Sequence, residues 1–245
     1  MNQLYGGVYI PNLANNGDKY GIGQYRFAHN YELLGRQLTV IADGKEYAFS
    51  FECTCSVLFN GEKLAWECEK LARGLFFVRF GENCGVFCLN MGKAALYLKD
   101  TSVIIGRIDG FDPENLPEDA GDGMVGTNVR WVFGVNRWVD HDYNAVGEVR
   151  SVWSRNTVNA GPIKTFRDNW VPKESDYNVE KMDAIHFGKS FYVVDVKAEV
   201  PAGVCAPAEM KRLVLLEDYD HMMTVGCAFG DMEPIMLAGY AKFLN

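Results

Sequence analysis

Gln37-Leu38-Thr39-Val40-Ile41-Ala42, then Asp43-Gly44, then Tyr47-Ala48-Phe49-Ser50-Phe51-Glu52-Cys53-Thr54-Cys55, is the stretch on which the reading of the fold turns. Asp-Gly between two apolar runs supplies the positive φ angles of a two-residue hairpin turn. On the returning run Tyr47, Phe49, Phe51, Cys53 and Cys55 alternate with Ala48, Ser50, Glu52 and Thr54, the two-residue period of a strand with one apolar face. Asn60-Gly61 repeats the turn signal, and short runs over residues 64–70, 75–80, 85–91, 94–99 and 102–108 follow. No long segment keeps the spacing of an amphipathic helix, so the chain reads as all-β. An even meander of this kind suits an up-and-down antiparallel barrel, because closure removes exposed strand edges.

Residues 110–127 are rich in Pro, Gly and acid and read as a linker. Strand patterns restart at 129–135, then one continuous strand over 143–153, a polar insertion over 156–177, and runs at 181–187, 190–198, 211–217, 222–229 and 235–243. The expectation is a barrel in residues 1–120 and another in 121–245. The halves echo each other: Leu75-Phe76-Phe77-Val78-Arg79-Phe80 and Gly85-Val86-Phe87-Cys88-Leu89 match Phe191-Tyr192-Val193-Val194-Asp195-Val196 and Arg212-Leu213-Val214-Leu215-Leu216, each pair following a Trp-bearing strand, Trp66 or Trp153. Tandem barrels are therefore expected over a single large sandwich.

A hydrophobic fraction of 48% with 23% charged residues fits a globular chain with a core. Net charge is -8 and Lys and Arg do not cluster, which argues against nucleic acid and membrane surfaces as partners. The first residues lack a basic and an apolar leader region, and no apolar run is long enough to cross a bilayer, so a cytoplasmic location is expected. Seven Cys fit reduced thiols packed as small hydrophobes better than a disulfide framework or a zinc set, and no metal site is expected. Serine-hydrolase elbow, phosphate-binding loop, dinucleotide fingerprint and His-Glu-x-x-His patterns are absent, so the expected chemistry needs no cofactor.

The second half resembles the MoaF family, named for molybdenum cofactor biosynthesis. The resemblance rests on Asp140-His141-Asp142-Tyr143, the strand ending in Trp153, residues 191–199 ending in an acid near Pro201, the run from Arg212 to Glu217, and Met222-Met223-Thr224-Val225-Gly226-Cys227-Ala228-Phe229-Gly230. Glu32-Leu33-Leu34-Gly35, the Asp43-Gly44 turn and the Phe51 strand carry it less specifically in the first half. The chain departs from the family at Asp142-Tyr143-Asn144-Ala145 and in the insertion over residues 164–177. The resemblance implies two tandem lipocalin-like (calycin) barrels and a ligand pocket; it does not define a reaction.

Alternation places His141, Tyr143, Val149, Ser151 and Trp153 on one face and Arg150 and Val152 on the other, provided that Gly147 does not bulge and reverse the parity. An imidazole, a phenol and an indole inside a barrel suit a flat organic ligand. The competing reading is that His141 bonds backbone while Tyr143 and Trp153 fill core. His141, His186, Tyr143 and Arg150 are the catalytic candidates, His141 because an imidazole titrates near neutral pH, with Asp140 available to orient it across a turn. Trp131, Ser151, Trp153, Arg137 and Glu199 are the ligand-binding candidates, a fixed guanidinium such as Arg137, Arg150 or Arg79 suiting an acidic ligand. Tyr25, Phe27, His29 and Tyr31 share parity and suggest an aromatic lid or an added strand.

The expected function is binding of a small aromatic or acidic molecule, with cofactor-free decarboxylation, isomerisation or hydration as the chemistry if there is any. A carrier or sensor, or an accessory protein of molybdenum cofactor metabolism acting through residues 164–177, are the alternatives. A homodimer is compatible with each.

Overall fold

The computed structural model describes residues 2–4, 7–9, 22–134, 137–154 and 173–244. Most of the 156–177 insertion therefore lies outside the described residues. A short hairpin, β1 (Asn2–Leu4) and β2 (Gly7–Tyr9), comes first. Eight antiparallel strands then form a closed barrel: β3 (Gln37–Ala42), β4 (Lys45–Ser50), β5 (Ser56–Phe59), β6 (Glu62–Ala72), β7 (Leu75–Phe80), β8 (Asn83–Cys88), β9 (Lys93–Tyr97) and β10 (Val103–Ile108). Each pairs with the next, and β10 returns to β3 through Arg107 opposite Ile41.

A second barrel repeats the plan with β12 (Asn128–Gly134), β13 (Arg137–Ala145), β14 (Glu148–Trp153), β15 (Asn178–Gly188), β16 (Phe191–Lys197), β17 (Met210–Asp218), β18 (Met223–Gly230) and β19 (Met232–Phe243). Here β19 returns to β12 through Tyr240 opposite Val132. The preceding two-residue β11 (Glu118–Asp119) adds to the edge of β15. Two closed antiparallel barrels are thus present, as the periodicity predicts.

The first barrel is filled by rings. Phe49 meets Phe51, Phe59, Phe80 and Phe87 at centroid separations of 4.8 to 6.1 Å, and Phe51 leans on Trp66 at 4.8 Å. Their alternation along β4, β6, β7 and β8 puts them on one side of the wall. The opposite side of the same strands is also apolar: Leu75, Phe77, Val86 and Ala95 pack in one cluster with Val193, Val214, Leu216, Val225 and Met236 of the second barrel. Strands covered on both faces read as unbroken apolar runs. This explains the echo, because β7 and β16, and β8 and β17, hold the same places in their barrels and meet at the contact between them. The Trp part of the echo is corrected, since Trp66 lies on the fourth strand of its barrel and Trp153 on the third of its own.

Other departures have local causes. Residues 143–153 are not one strand: Val146 and Gly147 form a turn, with Gly147 at φ +77°, and β13 and β14 are neighbours in a hairpin. β4 stops at Ser50, and Cys53 and Cys55 sit in a bend before β5. The linker over 110–127 is partly absorbed into the second barrel, where Met124 is buried in the core. Residues 22–36 form no added strand. Instead Tyr25 N–H donates to Phe133 O at 3.0 Å and Asn30 N–H to Cys68 O at 2.8 Å, so the segment joins both barrels.

A glycine sits at the closing seam of each barrel. A Cβ at Gly106 would lie 2.5 Å from Ile41 O, and one at Gly239 would lie 2.5 Å from Val132 O. Both contacts are with backbone, which cannot rotate away. Gly106→Ala and Gly239→Ala are each expected to lower stability by about 1–3 kcal/mol, as overpacked sites do. Gly44→Ala, at φ +73° in open space, is expected to cost about 1 kcal/mol from backbone strain alone. Denaturant midpoints measure both.

Candidate functional site

The turn at Gly147 decides which side chains meet. In the β13–β14 hairpin His141 lies opposite Ser151 and Val139 opposite Trp153. Opposed residues of an antiparallel pair share a face, so the face expected from a continuous strand survives its conversion into a hairpin. Between the Asp142–Arg150 and Ala145–Glu148 pairs two residues of β13 oppose one of β14, a bulge that leaves Tyr143 inside. Trp131, Val139, Tyr143, Val149 and Trp153 belong to the core of the second barrel.

His141 is fully buried there, and its Nδ1 lies 3.1 Å from the Tyr143 hydroxyl. Tyr143 donates to Glu217 Oε1 at 2.8 Å, and Tyr219 donates to Glu217 Oε2 at 2.8 Å. When Glu217 is ionised, the phenolic proton of Tyr143 goes to it and the Tyr143 oxygen accepts from His141 Nδ1–H. The imidazole is then the Nδ1–H tautomer, with Nε2 an acceptor. Nε2 has no hydrogen-bond partner, and neither does the donor Trp131 Nε1. The indole N–H is nonetheless near enough to the Tyr143 hydroxyl to act on it, so the bare group in this barrel interior is the His141 acceptor. Beside them Ser151 donates to Glu180 Oε2, and Glu180 Oε1 accepts from Glu199 N–H at 2.7 Å.

Burial sets the charge states. Desolvation lowers His141 to about 3, so the imidazole is neutral across the physiological range. The expectation that His141 titrates near neutrality is corrected on this ground. Desolvation raises Glu217 to about 8, partly opposed by its bonds from Tyr143 and Tyr219. Burial also raises Tyr143 well above the usual phenol range, and the Glu217 charge adds to this. The group that titrates near working pH is therefore Glu217, which enters the sequence reading only as the end of the run from Arg212 that carries the family resemblance. Alternation was the available signal: Leu213, Leu215 and Glu217 share a face.

The raised Glu217 has a consequence for stability. Between about 4.5 and 8 the folded protein holds a proton that the unfolded chain releases, so this group makes stability fall as pH rises through that window, by about 1.4 kcal/mol per pH unit. His141 acts oppositely and lower, adding stability as pH rises from about 3 to 6.5. Glu217→Gln is expected to flatten the decline of melting temperature between pH 6.5 and 8.5; a parallel decline in both proteins would remove Glu217 as its source.

The other candidates lie elsewhere. Asp140 does not orient His141, because it projects from the opposite face of β13 and holds Arg130 by two bonds of 2.6 and 2.7 Å. Arg150, offered as catalytic, also faces outward, to Glu174 at 2.6 Å, Asp142 at 3.6 Å and the Tyr177 ring at 4.4 Å. His186 is near the rim formed by the β15–β16 turn, its Nε2 2.9 Å from Lys189 O and its ring 4.9 Å from Tyr192. Tyr192 in turn meets Tyr219 at 5.7 Å. Arg137 opens β13 at the far end, half-buried, near the Cys205 thiol. Glu199 has an exposed side chain and contributes only its backbone to Glu180. Thus His141, Tyr143, Ser151, Trp131 and Trp153 come together, and Arg150, Glu199, His186 and Arg137 do not join them. Among the described residues no group of three or more His, Cys, Asp or Glu could hold a metal ion, and no helix is long and apolar enough to cross a membrane.

No family model matches the chain. No curated protein matches it. Among solved structures it is similar to one described as a "putative beta-lactamase from Burkholderia vietnamiensis", at 9% identity and a TM-score of 0.34, over 49% of this chain and 95% of that one.

Proposed function

We propose that the second barrel binds a small, flat organic molecule beside His141 and Trp131 and performs cofactor-free acid–base chemistry on it, of a lyase or isomerase type. The observation that carries this reading is the unbroken chain from the unpartnered His141 Nε2 through Tyr143 to Glu217. An imidazole depressed to about 3 cannot keep an added proton, but it can pass one on. Nε2 takes a proton from the bound molecule, Nδ1 releases its own to the Tyr143 oxygen, and Tyr143 releases its hydroxyl proton to Glu217. One proton leaves the ligand and one arrives on the carboxylate, while imidazole and phenol end neutral. Glu217 accepts this proton only when ionised, so with the carboxyl raised to about 8 the transfer strengthens as pH rises toward that value.

The Trp131 indole N–H acts on the Tyr143 hydroxyl and so adds a second donor to the chain, rather than a free one for the ligand. Arg150 and Arg79 are committed to carboxylates outside the barrel interiors, which favours a neutral aromatic over an acidic ligand. The residues that carry the MoaF resemblance, Asp140 to Tyr143 and Trp153, lie on the strands that build this chain, so a MoaF-like ligand barrel is our family reading.

Two measurements test the proposal. Thermal melts with phenol, indole and benzoate are expected to show stabilisation by the neutral rings exceeding that by benzoate; equal or absent shifts would sink the ligand assignment. Nitrogen NMR of the four His is expected to show one ring neutral from pH 4 to 9 whose Nδ1 signal moves with a midpoint near 8, and to lose that movement in Glu217→Gln. A His141 ring that gains a full charge near pH 6.5 would end the relay. Binding of a co-purified molecule with no product by mass spectrometry would leave the barrel a carrier.

A further inference from the structure

The bend between β4 and β5 carries two cysteines that the barrel interiors do not use. Cys53 Sγ and Cys55 Sγ lie 3.3 Å apart, unbonded, with Cys55 exposed and Cys53 partly so, whereas Cys68, Cys84, Cys88, Cys205 and Cys227 are all buried. The expectation of seven core thiols thus fails at this pair. Strand β4 ends before them, so neither side chain is turned into the wall. The bend is anchored rather than loose: Trp66 Nε1 donates to Cys53 O at 2.9 Å, and Trp66 is itself packed against Phe51. A second group addresses the sulfur, the Ser56 hydroxyl at 2.9 Å from Cys53 Sγ.

We infer that Cys53 and Cys55 form a dithiol site that exchanges with low-molecular-weight disulfides, Cys53 as the attacking thiol and Cys55 as the resolving one. The roles follow from the surroundings. Either group can donate while Cys53 is a thiol, but only Ser56 O–H can donate to the thiolate. This bond favours the thiolate and with the neighbouring Cys55 brings Cys53 down to about 7. Cys55 is raised, first by its contact with Cys53, so it stays a thiol until the first step has consumed the Cys53 charge. Only the thiolate attacks a disulfide, and a thiol near ambient pH is the most effective attacker.

The steps balance. The Cys53 thiolate attacks one sulfur of a disulfide RS–SR; a Cys53–S–SR bond forms, the RS–SR bond breaks, and RS⁻ leaves with the pair of electrons. Cys55 gives its proton to solvent and attacks Cys53 Sγ, forming the Cys53–Cys55 bond and expelling the second RS⁻. Two protein thiols are oxidised and one small disulfide is reduced to two thiols. A bridge across a single intervening residue closes a small ring, so reduced small thiols reverse it readily.

Tryptic cleavage after Lys45 and Lys63 isolates both cysteines on one peptide with no other Cys. Reduced protein treated with oxidised glutathione is expected to give that peptide two hydrogens lighter, with the five buried thiols unchanged. Cys55→Ser is expected to stop at a stable glutathione adduct on Cys53, and Cys53→Ser to form neither adduct nor bridge at a comparable rate. Iodoacetamide labelling of Cys53 in Cys55→Ser/Ser56→Ala is expected to need a higher pH than in Cys55→Ser. A glutathione adduct that persists on the unmodified pair, or equal labelling profiles with and without the Ser56 hydroxyl, would overturn the assignment. These outcomes do not depend on what the second barrel binds.

Discussion

Arg130→Leu is expected to cost about 3–5 kcal/mol, one of the two largest single losses in this protein. Asp140 is fully buried, and Arg130 meets both of its oxygens while lying 3.8 Å over the Trp138 ring. The pair is not an efficient source of stability, because both charges have left water. Burial already holds the Asp140 carboxyl above its ordinary range against the pull of Arg130. Removing the guanidinium leaves that carboxylate in a dry site with its main partner gone, and its pKa rises further. A raised folded-state pKa destabilises above the unfolded value near 4 and is harmless below it. The melting-temperature gap between Arg130→Leu and the parent should therefore be wide at pH 7 and narrow toward pH 4. Arg130→Leu with Asp140→Leu should recover most of the loss, since an apolar pair of similar volume replaces two desolvated charges. A double variant as unstable as the single one would show that the backbone of β12 and β13, and not the charge, suffers.

The second large effect belongs to Arg212. It holds Asp195 through bonds of 2.8 and 2.7 Å and reaches across the contact between barrels to donate to Leu98 O at 2.5 Å. Tyr97, whose hydroxyl has no partner, lies under the same guanidinium at 5.7 Å. Arg212→Leu strands a buried carboxylate, again about 3–5 kcal/mol, while Leu98 O keeps its bond from Thr101 N–H at 3.0 Å. The distinguishing expectation is in the shape of unfolding. Arg212 bonds one barrel directly to the other, so its loss should split a single calorimetric transition into two, whereas Arg130→Leu should only shift the second barrel's share.

How far the sequence alone could carry these conclusions depended on the range of the interaction. The Asp43-Gly44 and Asn60-Gly61 turns and the alternation of Tyr47 and Phe49 are local, and they foretell hairpins that the structure contains. The pairing of His141 with Tyr143 is also local, two residues apart on one strand. Alternation marks Glu217 as facing inward, but its bond to Tyr143 was out of reach, because the two meet only when β17 curls round to face β13 across the barrel. Cys53 and Cys55 were misread for the opposite reason: alternation continued past the point where β4 ends, and periodicity has no marker for that end. Asp140 could orient His141 only across a turn between residues 139 and 142, and β13 runs through these positions as a strand, so the two project to opposite faces. In each case the error lies in treating sequence distance as spatial distance.

The seam glycines bear on the order in which the chain folds. Every other strand pair in the two barrels joins consecutive strands, and most of these form across short turns, but each seam joins the first strand of a barrel to its last, Ile41 to Arg107 and Val132 to Tyr240. Such pairings carry the greatest loop-closure entropy and are the natural last step of assembly. Until they form, β3 and β10, or β12 and β19, present open edges to other chains. Glycine at the seam lets two backbones close to hydrogen-bonding distance with no side chain to rearrange. Its replacement should therefore lengthen the life of the open-edged intermediate, so that aggregation during refolding rises with protein concentration even where the folded barrel tolerates the added methyl.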